Sequence, residues 1–412
     1  MEKSYLWIGM CCSQEEKEHI ISCGGKLLSA IVSQDNLVCG LSNDLDMDSI
    51  NSVRVSSYPL YKEKKIKSFE WSRTGKSKDV NVSYLNYKYI GLYFKTKALE
   101  KKAEQWAKAH KNKEVTVFVY SMHSPFMDAA KAVKKIIPSA KIVLIVPDLP
   151  QFMDLGMNKV KKFLKAIDWK KIQGLMKSVD KYILYSKHMA EFLKLKDGSW
   201  TVMEGSINEN DVLDDTVEKD SNTISVMYSG VCDLRYGIPE LLDAFDLIKE
   251  ENYELWITGA GNAVPLIKER AEKDSRIKFY GFLPSRKDLL LKQKQATMMI
   301  NTRKPDEKAS AYCFPSKLFE YMISGNPVLS FDIPGIPEEY FNYLIKMEEV
   351  SPKCIAESIK KVAQMPFDER NALGEKSKKF VVENKNKNAQ AKKILEFVNN
   401  LNGENNEVAN RE

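Results

Sequence analysis

The sequence has 412 residues, 43% hydrophobic and 29% charged, which is enough apolar material for roughly two or three domains. With 19 glycines and 15 prolines, this composition excludes intrinsic disorder and collagen-like or linker-dominated chains. The formal charge of +7 is spread over a long chain, which argues against a nucleic acid partner and is compatible with anionic substrates or an anionic membrane surface.

The cysteines and the N-terminus predict a cytoplasmic protein. The seven cysteines are odd in number and form no CxxC motif, which is typical of reduced thiols and not of a zinc site. The first residues lack the basic start and cleavage site of a signal peptide. No stretch approaches the ~20 apolar residues of a membrane span.

The first half alternates short apolar runs with amphipathic stretches, a pattern that favours an α/β fold with parallel sheets. Helices are predicted over 24–34 and 98–110. Residues 61–90 are rich in lysine and aromatic residues with weak periodicity, so we expect loops or a mobile helix there. Strands are predicted at 5–10, 115–120, 141–147 and 181–186.

An acidic polar segment at 207–223 is typical of a linker, and the alternation restarts after it. The pattern therefore predicts two doubly wound, Rossmann-like domains, over 1–206 and 222–378, followed by a long terminal helix near 375–402. Ligands of such sheets bind at the carboxyl ends of the strands. In the second half, strands are predicted at 224–230, 254–259, 277–284, 296–303 and 327–332, and a helix from 316.

Residues 314–328 hold the most informative pattern. Ser316 is a good N-cap for the helix that follows, and the backbone N–H groups near Ser316 and Lys317, with the Lys317 ammonium, suit a diphosphate. Glu320 lies one turn further on, where its carboxylate can accept hydrogen bonds from a ribose diol. The alternative is a capped helix with a surface glutamate.

Two glycine-containing turns follow predicted strands. One strand ends at Gly230, and the next loop carries Arg235, which can reach a phosphate or can simply be a surface arginine beside a turn. The second turn holds Gly259 and Gly261 but has Val264 where a dinucleotide fingerprint has its third glycine. This disfavours NAD binding and favours a tight strand-to-helix turn.

These motifs give the sequence a resemblance to a known family. Residues 224–332 resemble the nucleotide-sugar-binding domain of retaining glycosyltransferases with the two-Rossmann GT-B fold, above all family 4. The segment 315–328 matches the pattern P-S-K-x-x-E-Y-x-x-x-G-x-P-V of a bacterial polysaccharide subset throughout. The other three matches, in the family's order, are residues 235–244, the Gly259-Ala-Gly261 turn and Phe279-Tyr-Gly281-Phe-Leu283.

The resemblance implies a GT-B architecture, with two domains facing across a cleft and a C-terminal helix, 379–402, that crosses back to the N-terminal domain. It implies that Arg235 and Lys317 bind the donor diphosphate and stabilise it during catalysis, and that Glu320 holds the ribose. It implies a nucleotide-sugar donor, UDP-sugar above all, with no metal or other cofactor. The remaining donor-site residues that it implies are Gly230, Gly281, Phe282, Leu283, Ser316 and Leu318.

The first half resembles the family in layout only. Gly24 and Gly25 open the first predicted helix, where the family places a glycine-rich loop beside the donor phosphate and the acceptor. His123 follows a strand, where the family often has a histidine near the transferred sugar, so we count it with the catalytic and acceptor residues. Asp148 also follows a strand. The alternatives are a loop histidine and a simple turn.

Two acidic positions bear on the chemistry. Many family members place a second glutamate eight residues before the ribose glutamate, and here that residue is Tyr312, which bears on the donor sugar and on activity. Asp44, Asp46 and Asp48 alternate in a way that can hold a divalent ion, but no calcium-loop glycine or twelfth-position glutamate follows them. We interpret this segment as a solvated loop.

A basic amphipathic segment suggests a membrane partner. Residues 157–178 contain seven lysines and one aspartate, with Val160, Phe163, Leu164 and Ile167 at helical spacing. Such a helix can lie on an anionic leaflet or pack against its own sheet.

The sequence therefore predicts retaining transfer of a sugar from a nucleotide sugar to a hydroxyl of a glycan or lipid-linked acceptor, in cell-envelope or exopolysaccharide synthesis. We expect the protein to be cytoplasmic and peripheral on the inner face of the membrane. The alternative is a non-catalytic GT-B subunit or glycan-binding partner of another transferase. A nucleotide-sugar epimerase ranks lower because the chain has only four histidines, and a dehydrogenase ranks last.

Overall fold

The computed structural model describes residues 2–25, 29–152, 159–213, 217–220, 222–283 and 285–399. The chain divides into two compact units. Unit 1 comprises residues 1–205 and 390–412, and unit 2 comprises residues 206–389.

Unit 1 is built on an eight-stranded sheet with the order β10-β9-β8-β7-β1-β2-β5-β4. All neighbours pair in parallel except β4 and β5, which are antiparallel. In chain order its elements are β1 (Lys3–Gly9), α1 (Gln14–Ser22), α2 (Ser29–Leu41), β2 (Met47–Asn51), β3 (Lys65–Ile66), β4 (Phe69–Trp71), β5 (Asp79–Asn81), β6 (Tyr84–Leu85), α3 (Gly91–Ala109), β7 (Glu114–Tyr120), α4 (Ser124–Ile136), β8 (Lys141–Val146), α5 (Lys159–Met176), β9 (Lys181–Leu184), α6 (His188–Leu193) and β10 (Trp200–Val202).

The central strands of unit 1 are continuous apolar runs because helices cover both faces of a parallel sheet. Leu6, Trp7 and Ile8 on β1 are completely buried, and Ile8 pairs with Ile50 on one side and Val119 on the other. The alternation of the sequence therefore located the core strands correctly.

Two predictions for unit 1 are wrong. Residues 61–90 contain four short strands, β3 to β6, which are too short to show a strand period in the sequence. The predicted helix 24–34 does not begin at Gly24, because α1 ends at Ser22 and α2 begins at Ser29. Helix α1 was not predicted, although Ser13 caps it by accepting the N–H of Glu16 at 3.1 Å. Residues 26–28 lie outside the described part of the chain.

Unit 2 is built on a six-stranded parallel sheet with the order β13-β12-β11-β14-β15-β16. The register places Gly230 at the end of β11 opposite Gly259 at the end of β12. The elements, continued to the C-terminus, are β11 (Ile224–Val231), α7 (Ile238–Leu247), β12 (Tyr253–Ala260), α8 (Val264–Lys273), β13 (Ile277–Gly281), α9 (Arg286–Gln295), β14 (Met298–Asn301), α10 (Lys317–Ile323), β15 (Val328–Phe331), β16 (Ile345–Met347), α11 (Pro352–Ala363), α12 (Phe367–Asn384) and α13 (Lys387–Asn399).

The single terminal helix predicted near 375–402 is two helices. Helix α12 ends at Asn384, and Asn386 then caps α13 by accepting the N–H groups of Asn388 and Ala389, both at 2.9 Å. The side chains of Ala391, Ile394 and Val398 on α13 are buried. The part of α13 from Gln390 onward belongs to unit 1, whereas residues 400–402 of the prediction lie outside the described residues.

Each unit is a doubly wound α/β domain of the Rossmann type, so the predicted fold class is confirmed. Among the described residues, no helix combines the length and the apolar composition that crossing a membrane requires.

Candidate functional site

Helix α10 is held against the end of β11 by a buried tyrosine. The Tyr321 hydroxyl donates to the carbonyl oxygen of Ser229 at 2.6 Å and accepts from its N–H at 3.0 Å. A methyl group placed on Gly230 would lie 3.8 Å from Cγ of Lys317. The structure therefore brings together two residues that the sequence predicted for the donor site, Gly230 and Lys317.

Four side chains of alternating charge are joined by successive ion pairs beside this end of β11. The Lys317 ammonium donates to both carboxylate oxygens of Glu320, at 2.9 and 2.7 Å. The Arg286 guanidinium contacts Glu320 at 2.8 Å and also pairs with Asp211. We call Asp211, Arg286, Glu320 and Lys317 the charged row. Two of its members, Arg286 and Asp211, were not predicted.

A signal for Arg286 was present in the sequence. Ser285 and Arg286 follow Pro284 just as Ser316 and Lys317 follow Pro315. Ser285 caps α9 by accepting the N–H of Asp288 at 3.2 Å, so Arg286 occupies the first turn of that helix. The repeated Pro-Ser-basic pattern therefore places a cation at the start of two separate helices.

The ionisation of the charged row follows from its contacts. Burial raises the pKa of Glu320, but the positive charges of Lys317 and Arg286 outweigh it, and the net shift is downward. Burial opposes the charge of Arg286, whereas Asp211 and Glu320 raise its pKa. Glu320 is therefore a carboxylate at neutral pH, held by two cations.

The predicted capping role of Ser316 is wrong. Its φ of −54° and ψ of −24° are already helical, and its hydroxyl makes no capping hydrogen bond. An N-cap side chain needs extended backbone to reach the first turn. Leu318, also predicted for the site, has its side chain in the core, and its N–H donates to the Pro315 carbonyl at 2.8 Å.

Arg235 lies in the loop after β11 but is held by its own neighbour. Its Nε and a terminal nitrogen donate to the two oxygens of Asp233, at 2.9 and 2.7 Å. Its guanidinium lies 5.5 Å from the ring centre of Tyr236, and that of Arg303 lies 5.1 Å from the same ring. Arg303, which follows β14, is a further cation at this edge that the sequence did not single out.

The Gly-x-Gly turn lets two loops pack closely. A methyl group on Gly259 would lie 1.8 Å from the Gly230 carbonyl oxygen, and one on Gly261 would lie 2.1 Å from that of Cys232. Gly259 also has a φ of +142°, which favours glycine. These glycines therefore shape the loop that follows β11.

The segment predicted to lie near the base leads directly into α9. Gly281 ends β13 with a φ of +66°, and its carbonyl accepts the Thr258 hydroxyl at 2.7 Å. Phe282 is 73% exposed and Leu283 is partly buried. Arg286 lies five residues after Gly281, so this loop leads into the helix that carries one member of the charged row.

The residues predicted in unit 1 fall at two places. His123 follows β7 and Asp148 follows β8, so both lie at the carboxyl edge of the sheet, where β7 and β8 are neighbours. Gly24 and Gly25 instead close α1, where their N–H groups donate to the Ile21 and Ile20 carbonyls at 2.9 and 2.8 Å. They end a helix and do not open one, because Gly24 has the φ of +82° that terminates helices.

His123 is an uncharged imidazole. Burial, followed by the positive charges of Lys95, Arg54 and Lys171, lowers its pKa to about 3. Its ring packs edge-on against Phe126, with centres 4.9 Å apart. At neutral pH its ring carries no charge, and it can donate one hydrogen bond to a ligand and accept another.

Two groups of side chains have the residue types that bind metal ions. Asp48 lies on β2 and accepts hydrogen bonds from the Trp106 indole at 2.7 Å and the Lys78 N–H at 2.8 Å, so it is committed to internal bonds. Among the described residues, His19, Cys23 and Glu63 form the group that could hold a metal ion, with His19 3.2 Å from Glu63 and 3.8 Å from Cys23.

The basic segment 157–178 forms α5 from Lys159 onward, while residues 157 and 158 and the side chains of 159–161, Val160 among them, lie outside the described part. Phe163, Leu164 and Ile167 are 67%, 48% and 52% exposed. This apolar stripe does not pack on the sheet, whereas Ile172 and Leu175 on the same helix do become buried.

The sequence of unit 2 and the fold of the chain are both similar to those of known proteins. Residues 210–380 match the family described as Glycosyl transferases group 1. No curated protein matches the chain. Among solved structures, a glycosyltransferase from Rickettsia africae has a TM-score of 0.63 and 14% identity, covering 98% of this chain and 100% of that one.

Two further structures are similar over nearly their whole length. Sucrose-phosphate synthase from Thermosynechococcus elongatus has a TM-score of 0.64 and 14% identity, over 96% of this chain and 98% of that one. HepE from Anabaena, solved in complex with UDP, has a TM-score of 0.62 and 10% identity, over 97% and 100%. The family match over most of unit 2, together with the fold of both units, makes this chain a glycosyltransferase of the GT-B type.

Proposed function

We propose that the protein transfers a sugar, with retention of configuration, from a UDP-sugar to a hydroxyl of a glycan or glycolipid acceptor in cell-envelope or exopolysaccharide synthesis. The observation that carries the donor assignment is the charged row beside Gly230, where Lys317 and Arg286 converge on Glu320. HepE in complex with UDP supports UDP as the nucleotide. The pattern at 315–328 supports membership of glycosyltransferase family 4.

A bound diphosphate would compete with Glu320 for its two cations. Lys317 and Arg286 would turn towards the phosphate oxygens, because a diphosphate carries more negative charge than one carboxylate. The Glu320 oxygens would then be released to accept hydrogen bonds from the two ribose hydroxyls. Arg235 would exchange Asp233 for phosphate in the same way.

The catalytic contribution of these residues is electrostatic. Negative charge builds on the diphosphate as the bond to the sugar breaks, and Lys317, Arg286 and Arg235 would stabilise that charge. In retaining transfer by front-face attack, the leaving phosphate oxygen takes the proton of the acceptor hydroxyl. His123 and Asp148, with Gly24 and Gly25, would serve the sugar and acceptor from unit 1. No metal or other cofactor enters the proposal.

Calorimetric titration with UDP tests the donor site, with GDP and NAD as controls. We expect UDP to bind the wild type, and Glu320→Gln and Arg286→Gln to weaken binding by about tenfold or more. Lys287→Gln is the matched control, because Lys287 is an exposed cation next to Arg286. A wild type that binds no nucleotide, or an Arg286→Gln variant that binds UDP normally, contradicts the assignment.

The exposed stripe on α5 supports peripheral association with an anionic inner leaflet. Phe163, Leu164 and Ile167 would enter the interface while the lysines around them meet lipid headgroups. We expect vesicles containing phosphatidylglycerol to bind the protein and Ile167→Ser to weaken that binding. Ile21→Ser is the control, since Ile21 is equally exposed, at 55%, on α1. Equal losses in both variants would rule out a specific role for α5.

A further inference from the structure

Two cations at the carboxyl edge of unit 1 have no carboxylate partner among the described residues. Lys95, on α3, donates to the Val53 carbonyl at 3.3 Å, and its ammonium lies 4.9 Å from the ring centre of Tyr84. Arg54 follows Val53 directly and is exposed. The carbonyl that binds Lys95 also accepts the Tyr84 hydroxyl at 3.0 Å, which fixes this corner of the unit.

These cations repel each other and act on His123. Burial, followed by the positive charge of Arg54, lowers the pKa of Lys95 to about 8. Burial keeps His123 in its neutral form, and the charges of Lys95 and Arg54 add to that effect by lowering its pKa in the same direction. Keeping the partly buried ammonium of Lys95 charged without a carboxylate partner is costly, and a bound anion would relieve that cost.

The nearby carboxylates are engaged elsewhere. Asp128 on α4 pairs with Lys171 at 2.5 Å. Asp168 on α5 accepts the hydroxyl of Ser124 at 2.6 Å. Neither is paired with Lys95 or Arg54, so the excess positive charge at this corner remains.

An exposed apolar turn begins the same helix. Leu92 lies three residues before Lys95 on α3 and is therefore its neighbour on the helix surface, with 47% of its area exposed. Tyr89, Ile90 and Tyr93 are 76%, 51% and 61% exposed. Large apolar side chains grouped in this way mark a binding surface, and here the surface adjoins the unpaired cations.

We propose that Arg54, Lys95 and His123 bind the phosphate group of an amphiphilic acceptor whose apolar chain lies on Tyr89, Ile90, Leu92 and Tyr93. The two cations match a phosphate in charge, His123 can donate one hydrogen bond, and the apolar turn covers hydrocarbon. The use of this site for an acceptor rests on the proposed function. The acceptor is then a phospholipid or a lipid-linked phosphate. The binding itself does not depend on the donor.

Pyrophosphate binding in the presence of saturating UDP tests the cation half of the site. We expect Arg54→Gln and Lys95→Gln to weaken binding by roughly tenfold or more. Lys101→Gln removes an exposed charge from the same helix and should leave binding within about twofold of the wild type. Because Arg54 is exposed, its variant tests the site without risk to the fold.

The titration is repeated in the Lys317→Gln background, so that phosphate bound in unit 2 is not counted. Loss of pyrophosphate binding in Arg54→Gln within that background supports the proposal. A wild type that binds no pyrophosphate, or unchanged binding in both cation variants, overturns it.

Vesicles test the apolar half and separate a lipid phosphate from free phosphate. We expect phosphatidylcholine vesicles with phosphatidic acid to bind the protein more tightly than vesicles with equal charge from phosphatidylglycerol, because phosphatidic acid presents a terminal phosphate. Arg54→Gln should remove this preference, and Leu92→Ser should weaken vesicle binding but not pyrophosphate binding. If Leu92→Ser changes neither, the lipid part of the proposal is wrong and the ligand is a soluble phosphate.

The two proposals can fail separately. If UDP does not bind while pyrophosphate binding still depends on Arg54, the donor assignment fails and the phosphate site stands. If UDP binds and depends on Glu320 while Arg54→Gln changes nothing, the phosphate site fails and the donor assignment stands.

Discussion

The carboxyl groups of Glu16 in unit 1 and Glu320 in unit 2 have opposite pKa shifts, and their neighbours decide the sign. Glu320 in unit 2 is held by two cations, so its pKa is lowered despite burial. Glu16 in unit 1 is 2% exposed; its carboxylate accepts a hydrogen bond from the Asn81 amide, and its backbone N–H donates to the hydroxyl of the capping Ser13. Without a cation, burial dominates and raises the pKa of Glu16 to about 7.

The Glu16→Gln variant should flatten the pH dependence of stability. Because the pKa of about 7 in the folded state exceeds the ordinary glutamate pKa of 4.5, the folded state binds the proton more tightly, and stability falls as pH rises through this range. We expect the wild type to lose up to about 3 kcal/mol between about pH 5 and pH 8 from this residue. Urea unfolding across that range measures it. The control is Glu15→Gln, at an exposed neighbour, and an unchanged slope in Glu16→Gln would contradict the prediction.

His123 should not titrate in the physiological range. Burial and the charges of Lys95, Arg54 and Lys171 lower its pKa to about 3, so its imidazole stays neutral between about pH 5 and pH 8. NMR of the ring protons, assigned with the His123→Asn variant, reports the charge directly. A midpoint near the ordinary value of about 6.5 would show that neither burial nor the cations shift the pKa of this ring.

At the scale of elements, α10 depends on tertiary contacts. It has seven residues and no side-chain cap, and short isolated helices are marginal in water. The two hydrogen bonds of Tyr321 to Ser229 therefore fix where Lys317 and Glu320 lie.

The Tyr321→Phe variant tests this dependence. We expect the free energy of unfolding to fall by about 1–3 kcal/mol, because a buried hydroxyl with two backbone partners is lost. UDP affinity should fall as well, since the charged row is no longer held in place. Chemical unfolding and calorimetry measure the two effects. Tyr280→Phe on β13, where the ring is 39% exposed, is the control, and equal effects in both variants would remove the special role of Tyr321.

At the scale of the whole molecule, the end of α13 and the first strand lie together in unit 1. Val398 and Asn399 of α13 lie beside Lys3 and Tyr5 of β1 around a cavity of about 120 Å³. The Lys181 ammonium lies 4.5 Å from the ring centre of Phe397, and Gln390 donates to the Gly205 carbonyl. Residues 390–399 are therefore part of the N-terminal domain.

Truncation after Asn386 should destabilise unit 1 and spare unit 2. It removes the buried side chains of Ala391, Ile394 and Val398, of which Ile394 and Val398 are each worth about 1.5–3 kcal/mol. Hydrogen exchange should show lost protection in β1 and β7 and retained protection in β11 and β12. Truncation after Asn399 is the control. Unchanged protection of β1 in the shorter chain would contradict this account.

The fold class, the central strands and the motif at 315–328 could be predicted from the sequence, because continuous apolar runs and a short contiguous motif are local properties. It could not place Arg286 and Asp211 beside Glu320, since residues 34 and 109 positions away meet it only through packing. It gave Ser316 a capping role that its backbone conformation excludes. The unpaired state of Lys95 and the pKa shifts of Glu16, Glu320 and His123 were likewise decided by tertiary structure, because burial and neighbouring charges exist only in the folded chain.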